Sequence, residues 1–103
     1  MDESLQNLLL KANEKYQIEG FVILGIFGSR APGDNRLDRD LDILYKLEER
    51  FYDLYSGWNG IGRIEDIKAE LGQLIGLKID LVDRGSLRSL SERFILPETL
   101  YVA

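Results

Sequence analysis

Gly28-Ser29, ten further residues, and then Asp40-Leu41-Asp42 join a turn that can cradle phosphate to two carboxylates that can hold a divalent metal. That spacing points to nucleotidyl transfer. Gly28 lets backbone approach a ligand without a side-chain clash, and Ser29 is a good N-cap for a short helix over residues 29–33, whose free N–H groups would attract phosphate. Asp40 and Asp42 lie on a strand-like run, Asp40 to Tyr45. The two-residue period of a strand sends both carboxylates to one face and Leu41, Ile43 and Tyr45 to the other. Paired oxygen donors of this kind suit magnesium or manganese. A third acid, Asp80, stands in Lys78-Ile79-Asp80-Leu81-Val82 with Ile79 and Leu81 on the opposite face, where it can complete the carboxylate cluster.

Each feature has a plainer reading when taken alone. A Gly-Ser pair is most often an ordinary turn, and an Asp-x-Asp on an amphipathic strand is most often a solvated face. Asp38, Asp40 and Asp42, with Glu49 eleven residues after Asp38, also imitate part of an EF-hand loop, but Ile43 stands where the sharp turn of that loop needs Gly. The conjunction of buried strand, Gly-Ser, fixed gap, paired acids and a third acid on a later strand carries the catalytic reading.

These residues need a frame. Phe21 to Phe27 is apolar apart from Gly25 and reads as a buried central strand that delivers Gly28 to an edge of the core. Before it, Leu5, Leu8, Leu9, Ala12 and Tyr16 repeat at helical spacing, with Ser4 as a cap, which predicts a helix over 4–17. The second strand ends near Lys46. Ile61, Ile64, Ile67, Leu71, Leu74 and Ile75 trace another helical stripe closed by Gly76, and the third strand is Leu77 to Val82. A turn at Asp83-Arg84-Gly85, a last helix stopped before Pro97, and a short edge at Tyr101-Val102 complete the order. The expected fold class is α/β (α+β): one domain spanning 1–103, a small mixed sheet backed by helices on one face. The aromatic segment from Phe51 to Trp58 has two readings, apolar packing under a loop or interface anchors, and burial decides between them.

Composition narrows the chemistry. A chain of 103 residues has room for one modest core and none for a separate acceptor domain, so the rest of the site must come from a partner. With no Cys and no His, thiolate sites, disulfides, imidazole bases and His-bound zinc are excluded, and acid–base work falls to carboxylates. A net charge of −5 opposes binding to nucleic-acid backbone and fits a basic protein partner, though mild acidity also serves solubility alone. No run reaches the roughly 18 apolar residues of a membrane helix, and the start, Met-Asp-Glu-Ser, lacks the basic region of a signal peptide. A soluble cytoplasmic protein is expected.

From Phe27-Gly28-Ser29-Arg30 to Asp40-Leu41-Asp42-Ile43-Leu44 the sequence resembles the minimal nucleotidyltransferase family of the DNA polymerase beta superfamily, whose pattern is GSx10DxD. The resemblance extends over nearly the whole chain and is strongest to the antitoxins paired with HEPN toxins. It implies transfer of AMP from ATP to a tyrosine of a HEPN ribonuclease, which silences the toxin. Asp40 and Asp42 would bridge two magnesium ions, and Gly28 and Ser29 would hold the β and γ phosphates. Asp80 would serve as base, as metal ligand or as both. Arg30 stands where it can meet the triphosphate, the partner or only solvent. Two positions depart from the family's usual sequence: Pro32, where a second Arg is common, and Arg39, where Ser often precedes the first acid; neither replaces a carboxylate. The alternative function is an antitoxin without catalysis that neutralises its toxin by occlusion.

Overall fold

The computed structural model describes residues 2–27 and 40–102. The turn residues Gly28, Ser29 and Arg30, and the short helix expected over 29–33, lie outside the described residues. Helix α1 covers Glu3–Gln17 and is capped by Asp2, whose carboxylate accepts from the Ser4 N–H at 3.1 Å, so the cap falls two residues before the expected Ser4. Strand β1 follows at Phe21–Phe27 and β2 at Leu41–Leu47. Helix α2, Glu49–Leu54, occupies part of the aromatic segment, and α3 runs from Trp58 to Ile75. Gly76 ends α3 in the left-handed conformation, φ 80°, as its position after the apolar stripe predicts. Strand β3 is Ile79–Asp83, α4 is Ser89–Glu98 and β4 is Leu100–Tyr101.

Strands β2 and β4 each lie within a residue or two of expectation, and the boundaries of α3, α4 and β3 differ for local reasons. Helix α3 starts three residues before Ile61 because Gly57, φ 56°, turns the chain without any capping side chain that a sequence could advertise. Helix α4 passes through Pro97 rather than stopping before it. Pro97 lies one residue from the helix end, so it removes a single hydrogen bond. Thr99 repairs the end: its N–H donates to the Leu96 carbonyl and its hydroxyl to the Ile95 carbonyl, at 3.2 and 2.7 Å. Strand β3 begins two residues later than predicted, after the Lys78 carbonyl accepts from the Leu41 N–H at 2.8 Å.

The four strands form one mixed sheet in the order β3-β2-β1-β4, with β2 and β3 parallel and β1 antiparallel to both of its neighbours. Helices α1 and α3 pack on one face. There Leu9, Ala12 and Tyr16 of α1 and Ile67 and Leu71 of α3 meet Phe21, Ile23, Ile43, Tyr45 and Ile79 of the sheet. Phe21 stacks on Tyr45 with ring centroids 4.6 Å apart, a diagonal pair beside the Ile23–Tyr45 register. Leu44 points to the second face and is fully buried, so part of that face is covered as well; α4 and the 3-10 turn Arg84–Ser86 lie against β1 and β2.

Strand β1 changes face partway along. Phe21 and Ile23 face the core, but the register slips between Ile23 and Gly25, and after the slip it is Ile26, paired with Ile43, that enters the core. One extra residue in a strand reverses the facing of everything after it. Phe27 therefore lies on the second face, opposite Asp42. The slip is held by Asn13 of α1, a buried amide that donates to the Ile23 carbonyl at 3.2 Å and accepts from the Ile23 N–H at 3.0 Å. It serves both backbone groups of Ile23 as a strand residue would.

Candidate active site

The carboxylates are positioned by the parallel ladder between β2 and β3. Leu41 pairs with Ile79, Asp42 with Asp80 and Ile43 with Leu81. Leu41, Ile43 and Ile79 are buried against the helices, so alternation puts Asp42 and Asp80 side by side on the second face. Neighbouring strands lie about 4.8 Å apart, close enough for two short acidic side chains to share one ligand. Asp40 precedes β2 by one residue, and strand alternation carries it toward the face of Asp42. Asp40 and Asp42 are half-buried and Asp80 is exposed.

Phe27, the last residue of β1, is in register with Asp42, so the strand ends beside the acids. The structure thus brings together Asp42, Asp80 and the end of β1, with Asp40 adjacent. An all-carboxylate donor set fits a hard divalent cation in type and in facing. Among the described residues no three acidic side chains close around a metal position.

Away from the acids, a second polar cluster ties α1 to α3. Arg63 of α3 forks onto both oxygens of Glu19, each at 2.7 Å, and reaches Glu70 at 3.1 Å. Glu70 also accepts from the Tyr16 hydroxyl at 2.7 Å and from Lys15 at 3.2 Å, and Glu19 accepts from the Tyr55 hydroxyl. The hydrogen bonds from Arg63 hold the Glu19 carboxyl below its usual range, and those led by Tyr16 do the same for Glu70. Burial and the Glu70 contact push the Tyr16 hydroxyl well up. Burial, reinforced by the charge of Asp83, pushes Tyr45 to about 12.

Asn13 and the Glu19–Arg63–Glu70 cluster are not among the residues that the sequence singles out. Asn13 was in principle visible: it falls with Leu9, Ala12 and Tyr16 on one helical stripe, and an amide on a core stripe needs a buried partner. Nothing in the spacing of Glu19 and Arg63 announces that they meet.

A solved structure described as a minimal nucleotidyltransferase matches this fold with a TM-score of 0.69 and 29% sequence identity, over 97% of this chain and 95% of that one. With the carboxylate edge in place, the chain is a nucleotidyltransferase of mixed α/β fold. The protein adenylyltransferase MntA of Thermococcus cleftensis is 32% identical over 96 residues, which span 91% of this chain and 89% of that protein. This chain belongs to the minimal nucleotidyltransferase family. No protein-family model matches it. No helix among the described residues is long and apolar enough to cross a membrane.

Proposed function

We propose that this chain is a cytoplasmic antitoxin that transfers AMP from ATP to a tyrosine of a cognate HEPN ribonuclease toxin, acting as one catalytic domain. The observation that carries the reading is the register of Asp42 beside Asp80 on one face, with the strand that feeds Gly28-Ser29 ending opposite Asp42. The name of the MntA relative, a protein adenylyltransferase, supports a protein acceptor.

Gly28 and Ser29, with Arg30 next in sequence, would hold the β and γ phosphates and leave the α-phosphorus to Asp40 and Asp42. Asp40, Asp42 and Asp80 are the residues that would hold magnesium, two ions in this class of displacement, which neutralises charge on the departing pyrophosphate when bound. The tyrosine oxygen attacks the α-phosphorus from the side opposite the pyrophosphate. A new O–P bond forms as the bond to pyrophosphate breaks. A tyrosine hydroxyl has an ordinary pKa of about 10, so its proton needs an acceptor at neutral pH, and the exposed carboxylate of Asp80 would take it. An AMP group on the toxin adds bulk and negative charge where RNA phosphate would bind.

The test is intact-mass spectrometry of the purified candidate HEPN protein after incubation with this chain, ATP and magnesium. A gain of one or more AMP units is expected, and none with Asp40→Asn/Asp42→Asn, whose fold is kept. Full transfer by that variant refutes the assignment of the acids. A stable, silenced complex with no mass gain establishes occlusion instead.

A further inference from the structure

The aromatic segment resolves into two groups. Phe51 is buried, whereas Tyr52, Leu54, Trp58 and Ile61 are exposed, Trp58 to 85%. Leu54, Tyr55 and Trp58 wall a shallow pocket between α2 and the first turns of α3, with Asp66 on its rim. Trp58 heads α3 with its ring in solvent, where it does nothing for the core. Its uncovered surface alone is on the order of 200 Å². Aromatic side chains of this kind, ringed by polar residues, are the usual anchors of protein interfaces.

Charge identifies what would cover the patch. Asp53, Glu65 and Asp66 are exposed around it. The nearby guanidinium groups are engaged: Arg63 on Glu19 and Glu70, Arg50 on the Ile18 carbonyl at 3.2 Å. A second copy of the chain would set this acidic rim against itself, and a nucleic acid would be repelled. The complementary surface is an apolar projection flanked by Lys or Arg on another protein.

Topology places the patch far from the acids. Strand β2 begins at the carboxylates and runs to Leu47, α2 follows at that other end, and α3 returns along the sheet so that β3 starts level with Leu41. The 18 residues of α3 span about 27 Å. Trp58 and Asp42 thus stand at opposite ends of the domain.

Resting on the reading of this chain as an enzyme that modifies a protein, we propose that the patch formed by Leu54, Trp58 and Ile61 is the docking site that holds the protein substrate through a basic, apolar-tipped surface. The substrate is gripped at one end of the domain while its tyrosine is presented at the other, some 25 Å away.

Trp58 is the single tryptophan of the chain, so its emission reports the patch directly. The candidate HEPN protein is titrated into wild type and into Asp40→Asn/Asp42→Asn, with the HEPN protein's own emission subtracted. A blue shift in both is expected. Trp58→Ser, at an exposed position that leaves the fold intact by circular dichroism, should weaken binding about thirtyfold, as the loss of a central aromatic anchor does. Glu65→Lys/Asp66→Lys should weaken it about tenfold or more. If AMP transfer occurs but Trp58 emission does not move and Trp58→Ser binds within twofold of wild type, the docking site is refuted and the enzymatic reading stands. Tighter binding by the Lys variant refutes the basic partner. Neither binding nor transfer by wild type overturns both readings together.

Discussion

Asn13→Ala should be among the most damaging single changes available outside the carboxylates, although Asn13 touches neither the acids nor the phosphate turn. The substitution removes a buried amide that satisfies both the N–H and the carbonyl of Ile23, at 3.0 and 3.2 Å. A buried polar group left without its partner costs about 1–3 kcal/mol, and two are stranded here, with partial relief as water enters the space; a net loss of about 2–4 kcal/mol follows. For a domain of this size that lowers the melting temperature by roughly 10–25 °C. Urea denaturation measures it: the midpoint should fall with an unchanged slope, since the surface exposed on unfolding hardly alters. Asn13→Asp sharpens the test. It keeps the acceptor for the Ile23 N–H but turns a carboxylate toward the Ile23 carbonyl, so it should be worse than Ala at neutral pH and recover as acid protonates it into a donor. The bulge that Asn13 holds decides which face Phe27 takes, so AMP transfer should fall further than the unfolded fraction explains. A loss below about 1 kcal/mol for Ala, or no recovery of Asp in acid, would refute the account of the bulge.

Gly25→Ala should destabilise the fold by at least about 2 kcal/mol in thermal melts, because the added Cβ would fall 2.3 Å from the Leu100 carbonyl oxygen and force β4 off the edge of β1. Gly62→Ala, in open space on α3, should instead stabilise by about 0.5–1 kcal/mol through helix propensity. Acid should weaken the α1–α3 clamp: Glu19 and Glu70 titrate below their ordinary value of 4.5 in the fold, so their contribution is complete above about pH 4.5 and is lost as pH falls further. Melting temperatures from pH 6 to 3 should show that slope and Arg63→Met should flatten it. In alkali the sign reverses. Tyr45 titrates at about 12 in the fold, so its contribution holds below the ordinary tyrosine pKa of about 10 and declines as pH rises toward 12; Tyr45→Phe should lessen the decline. Chelation with EDTA should stop AMP transfer and excess magnesium restore it, read by intact mass.

How far the sequence could be read depended on whether an interaction is local or periodic. Strand β1 is legible to the residue as Phe21–Phe27, since a seven-residue run that is apolar apart from Gly25 is short for a helix and of ordinary length for a buried strand. The facing of Asp42 and Asp80 is legible too, because Leu41, Ile43 and Ile79 declare the core side and alternation does the rest. The slip in β1 is not, since every residue of that strand except Gly25 is apolar and either face would accept them. Helix α2 escaped because six residues give fewer than two turns of periodicity and Glu48 offers no capping hydrogen bond. The expectation that helices cover one face held for α1 and α3 but missed the fully buried Leu44 on the other.

The same alternation explains why so small a domain can hold charged groups in register without a rigid shell around them. Asp42 and Asp80 are neighbours only if β2 and β3 pair as they do; a slip of one residue would set Asp42 beside Ile79 or Leu81 and turn the β3 acid into the core. That slip is opposed by core packing rather than by anything at the site. Ile79 is buried beneath α3 level with Leu41, and Ile43, fully buried, sits level with Leu81. Each would have to give up burial worth about 1.5–3 kcal/mol per side chain for the acids to part. The geometry of the exposed edge is therefore set from the opposite face of the sheet. It follows that Ile79→Ala should disturb transfer at the acids more than a surface change closer to them, such as Lys78→Ala. The ratio of the two rates, measured where both variants are folded, should fall well below one; equal rates would mean that the carboxylates keep their register without the core.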